Sequence, residues 1–155
     1  MKACMLLIVT AIFFISCTQQ TSNTQQLQQQ VDSLQQKLEN VYRPGLGEFM
    51  SGIQVHHEKL WFAAQAQNWK LADFEIHEIM ESIDDIKNYA SDRPEVKSIG
   101  MIEPAIDSLN NAIQQKNIVL FKLWFTLLTN TCNNCHHATQ HEFNVITIPT
   151  TPPFY

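Results

Sequence analysis

Apolar residues recur along most of this chain with the period of a helix. Leu27, Val31, Leu34, Leu38 and Val41 follow one another in alternating steps of four and three, the seam of a short coiled coil. Met50, Ile53, His57, Leu60 and Ala64 form a second stripe, and Ala72, Ile76, Ile79, Ile83, Ile86 and Ala90 a third. A fourth runs through Ile99, Ile102, Ile106, Leu109 and Ile113, and a fifth through Ile118, Phe121, Phe125, Leu128, Cys132 and Cys135. Steps of three and four keep each stripe on one side of its helix, where it has to be buried against its neighbours. No alternation of the kind that marks a strand precedes residue 143.

Breaks between the stripes give the organisation. Arg43-Pro44-Gly45-Leu46-Gly47 ends the first seam, because proline cannot donate a hydrogen bond and glycine weakens a helix. Asn68 is a candidate N-cap, Asp92-Arg93-Pro94 separates the third stripe from the fourth, and Pro104 kinks or restarts the helix that carries the fourth. The pattern predicts an all-α protein: an up-down-up-down four-helix bundle over residues 45–140, preceded by a helical, coiled-coil-like stalk. Thr18 to Gln30 is almost wholly Gln, Thr, Ser and Asn and reads as a tether, so residues 17–44 are tether and stalk. Residues 141–155 form an extended, Pro-rich tail with scope to lie across the bundle.

The N-terminus places the domain outside the cytoplasm. Lys2 is followed by an apolar run from Met5 to Ile15, too short and one-sided to span a membrane, so residues 1–16 read as a cleaved export signal. Phe14-Ile15-Ser16-Cys17 resembles the lipobox of bacterial lipoproteins. That resemblance implies lipidation at Cys17 and a membrane-anchored protein of the cell envelope; Thr18 at the next position resembles lipoproteins sorted to an outer membrane. The whole chain has 15 acidic and 10 basic residues, an excess that argues against nucleic acid as a partner. The stalk offers a route to a homo-oligomer.

The four cysteines then carry the chemistry. Cys4 lies in the signal and Cys17 is accounted for by lipidation, which leaves Cys132 and Cys135 in Cys132-Asn133-Asn134-Cys135-His136. Two thiols three residues apart share one side of a helical turn and can add to the two vinyl groups of a porphyrin, with the adjacent imidazole reaching the iron. This spacing points to one covalent haem c, with His136 as proximal ligand. Three other uses of the same residues stand beside it. They are a Cys132–Cys135 disulfide, a zinc site drawing on His136 or His137 and His141, and a thiol redox module, although the βαβ setting usual for that last motif is missing.

Four helices with Cys-x-x-Cys-His on the last and a candidate ligand on the first resemble the cytochrome c′ family over roughly residues 46 to 137. The chain departs from it after the motif, where His137-Ala138-Thr139-Gln140-His141 replaces the basic residue common there. If the first and last bundle helices are antiparallel, Met50 lies level with His136, and its thioether is the candidate distal ligand. His57 is about 10 Å farther along the axis, which favours a hydrogen-bonded core histidine, while His56, His137 and His141 are expected at the surface. Tyr89, Arg93 and Lys97 are candidate propionate contacts, and Glu75, Glu78, Glu81, Asp84 and Asp85 are expected to form a solvated acidic face.

The expected function is membrane-tethered electron transfer to a redox partner protein, with no enzyme activity. A five-coordinate haem that binds a small gas, and a haem-free envelope scaffold with a Cys132–Cys135 disulfide, are the alternatives. The sequence has no Glu-x-x-His pair for a di-iron bundle and no phosphate-cradling glycine loop.

Overall fold

The computed structural model describes residues 23–38, 41 and 44–152, and the described residues are helical with no strand. The export signal expected over 1–16, and Cys17, lie outside them. No described helix is long and apolar enough to cross a membrane.

Residues up to 43 form a unit of their own. Its helix, α1, covers 23–38 and so begins inside the Gln-rich segment expected to be tether. Glutamine is a good helix former, which is consistent with that extension. Val41 falls beyond the helix end, so the seam carried by α1 is Leu27, Val31, Leu34 and Leu38, all exposed.

The second unit contains α2 (Leu46–Gln65), α3 (Trp69–Tyr89), α4 (Val96–Ile99), a 3-10 turn (Gly100–Ile102), α5 (Glu103–Gln114) and α6 (Ile118–Ala138). At the start of α2 the Glu48 carboxylate reaches back to the Gly45 N–H, which also places an acidic group in the first turn. Asn68 caps α3 by accepting from Leu71 N–H. Asn117 caps α6 by accepting from both Val119 and Leu120. Pro104 sits in the first turn of α5, where no helical N–H is needed, so the fourth stripe is split into α4, the 3-10 turn and α5.

Three helices end in the same way. Gln67, Lys116 and Gln140 have φ of 55°, 53° and 62°, the left-handed region. After each, the next N–H turns back to a carbonyl five residues earlier: Asn68 to Ala63, Asn117 to Ala112 and His141 to His136. This is the Schellman arrangement, built without glycine. Asn68 and Asn117 thus close one helix and open the next, which makes the α2–α3 and α5–α6 connections very short.

Packing follows the stripes. Helix α2 lies against α3, α3 against α5, α5 against α6, and α6 against α2. Leu60, Ala64, Ala72, Ile76, Ile86, Leu109, Phe121 and Phe125 lose all contact with solvent. Ring contacts step down α6 as they step up α2, from His57 on Phe125 to Trp61 on Phe125 and Phe121. The N-terminal half of α2 therefore lies beside the C-terminal half of α6.

One expectation about a face is overturned. Glu75, placed by its acidic neighbours on a solvated side, is 2% exposed, and His56, expected at the surface, turns its Nδ1 to the Glu75 carboxylate at 2.6 Å. The two are on facing helices nineteen residues apart, and His56 supplies the buried Glu75 carboxylate with a polar partner.

Candidate functional site

At the α2 N-terminus the packed helices leave a cavity of about 400 Å³, within the range of roughly 300–1,000 Å³ seen for cofactor pockets. Cys132, Cys135 and His136 from α6 line it together with Met50 from α2. Ile53, Ile83, Ile99 and Ile102 provide apolar wall. Arg93 stands at the edge, while Tyr89 and Lys97, the other candidate propionate contacts, are exposed and do not line the cavity. Tyr89 is one place short of Ala90 on the buried stripe of α3, and Lys97 lies between the inward-facing Val96 and Ile99, so both turn outward. Arg93 is held by Glu95, through Nε at 3.3 Å and Nη2 at 2.8 Å, and this pairing raises the guanidinium pKa and lowers that of Glu95.

The thiols are both free in the structure. Burial, reinforced by Cys135 close by, pushes the Cys132 thiol up to about 12, and burial also raises Cys135. Such groups stay protonated near neutral pH. That disfavours thiol exchange, which needs a depressed pKa. The Cys135 S–H is 3.8 Å from the Ser98 carbonyl, a long contact that sets this end of α6 beside α4. Among the described residues no three His, Cys, Asp or Glu side chains converge to hold a metal ion, so the four-ligand zinc arrangement on paper is not assembled.

His136 is oriented by the turn that follows it. The Schellman closure at Gln140 folds the chain back, and Asn144 N–H then bonds the His141 carbonyl at 2.9 Å. The Asn144 carbonyl comes to 2.5 Å from His136 Nδ1. A carbonyl only accepts, so Nδ1 carries the proton and Nε2 keeps its lone pair for a metal. The tail expected to lie across the bundle thus runs beside α6, with Ile146 lining the cavity and Ile148 packed on the core. Sequence reasoning missed this part. Its one available signal was the alternation of Ile146 and Ile148 with polar Thr147 directly after the motif.

His57 closes the deep end of the cavity and is 3% exposed. Its ring stacks on Phe125 at 4.4 Å, and Nε2 is 2.9 Å from Thr129 Oγ1. Thr129 donates its hydroxyl proton to the Phe125 carbonyl, so it accepts from His57 Nε2–H, and Nδ1 is a buried acceptor with no hydrogen-bond partner. Burial lowers the His57 pKa from 6.5 to about 4. His141, expected at the surface, is half-buried and also lines the cavity, whereas His137 is exposed.

Compared with protein-family models, with curated proteins and with solved structures, the chain finds no match in any of the three.

Proposed function

We propose that this protein is a monohaem c-type cytochrome, tethered to a membrane of the bacterial cell envelope through Cys17, that passes electrons to a partner protein. Its bundle is an up-down-up-down four-helix arrangement whose open end receives the haem. The observation that carries this reading is the convergence of Cys132, Cys135, His136 and Met50 on one cavity of suitable size.

Cys132 and Cys135 hold the porphyrin by two thioether bonds. His136 offers Nε2 to the iron because Nδ1–H is committed to the Asn144 carbonyl. Met50 would offer a thioether from α2. Ile53, Ile83, Ile99 and Ile102 restrict water on the bundle side, and Arg93 gives the rim a cation for a propionate. Bound haem supplies reversible one-electron chemistry. The exposed acidic residues of α3, among them Glu81 and Asp84, favour a basic partner surface.

The test is the optical spectrum of the full chain produced in a periplasm equipped for haem attachment. Sharp low-spin bands that turn high-spin in Met50→Ala are the expected result. High-spin bands in the parent that move with carbon monoxide would replace the electron carrier by the gas binder.

A further inference from the structure

We propose that Asn133, the first of the two residues between the motif cysteines, is the positioning residue for the iron ligand. It clamps the C-terminal tail so that the Asn144 carbonyl meets His136. This rests on the haem reading above.

The clamp is a two-point contact. Asn133 Oδ1 accepts from Ile146 N–H at 2.8 Å, and Asn133 Nδ2 donates to the Ile146 carbonyl at 2.8 Å. One planar amide thereby holds both backbone groups of one residue, much as a neighbouring strand would, and fixes the height and direction of the tail there. Asn144, two residues earlier, puts its carbonyl on His136 Nδ1. Residues 133 and 136 are three apart and share a helix face, so the clamp and the imidazole meet the same stretch of tail. Asn134 turns to solvent and carries a built-in control. The Asn133 amide donates and accepts from two separate atoms: aspartate loses the donor, and leucine, of similar shape, loses both.

The consequence is electronic. An Nδ1–H that donates to a fixed carbonyl makes Nε2 a stronger donor to the iron and stabilises the oxidised state. Loosening the tail weakens that bond, and the midpoint potential rises.

The experiment measures covalent haem by mass and the midpoint potential by spectroelectrochemistry in the haem-loaded full chain, comparing the parent with Asn133→Leu and Asn134→Leu. One haem in all three, with a more positive potential in Asn133→Leu alone, is the expected result. Ile146→Pro removes the N–H from the tail side of the clamp and is expected to shift the potential in the same direction, which keeps the proposal open to test should Asn133→Leu misfold. A parental potential in both clamp variants overturns the proposal alone. A parent chain without covalent haem overturns the haem reading and takes this proposal with it.

Discussion

The two ends of the helical unit are built from the same helices and differ in how they are filled. At the end holding the α2–α3 and α5–α6 connections, Trp61, Trp69, Phe121 and Phe125 pack on one another at centroid distances of 4.9 to 6.4 Å, and each connection is closed by a left-handed residue followed by an asparagine cap. At the other end the inward residues are Met50, Cys132, Cys135 and isoleucines, and about 400 Å³ lies between them. His57 marks the boundary, stacked on Phe125 on one side and lining the cavity on the other. The contrast teaches that tight packing and open space are separated along the helices: aromatic packing sets the relative position of α2 and α6, and their far ends place Met50 and His136 on one cavity.

If that division is right, damage at the packed end costs stability while haem attachment survives. Phe125→Ala, at a site with no solvent contact, should lower unfolding free energy by about 3–5 kcal/mol in chemical denaturation, with covalent haem retained in the surviving folded fraction. An equal loss of haem would show the ends to be coupled.

The boundary responds to acid. His57 has a folded pKa of about 4 against 6.5 when unfolded. Above pH 6.5 the group is neutral in both states and costs nothing; as pH falls toward 4 the unfolded chain takes up the proton first. Its contribution to stability is therefore lost across that window, by about 3 kcal/mol at the low end. Denaturation at pH 7 and pH 4 should show the loss, and His57→Phe should reduce it; an unchanged acid dependence in that variant would assign the effect to other groups.

Smaller effects probe the connections. Asn117→Ala leaves the Val119 and Leu120 N–H groups without their cap and should cost about 1 kcal/mol. Lys116→Gly should move stability the other way, by up to about 1 kcal/mol, because glycine accepts φ of 53° without the Cβ penalty. Thermal unfolding reads both; a destabilised Lys116→Gly would mean that the Lys116 side chain outweighs its backbone strain.

The helices were legible because the stripe from Ala72 to Ala90, and those before and after it, keep helical steps unbroken, and because proline and asparagine mark the boundaries. Cys132, Cys135 and His136 fall together because their spacing keeps them within one turn of α6, and Met50 shares their cavity because α2 and α6 run side by side in opposite directions. What depends on a distant partner did not show. Glu75 looks like its acidic neighbours until His56 faces it, and Asn133 looks like a spacer until Ile146 returns to it. Tyr89 and Lys97 are exposed and do not line the cavity, because one residue off the stripe is enough to turn a side chain outward.

The central claim is that the open end holds one haem through two thioether bonds. Its most direct test is the mass of the denatured full chain beside that of a variant with Cys132→Ala and Cys135→Ala. The account predicts one added haem in the parent and none in the variant. A parent of unmodified mass, or one lighter by two hydrogens through a Cys132–Cys135 disulfide, would contradict it.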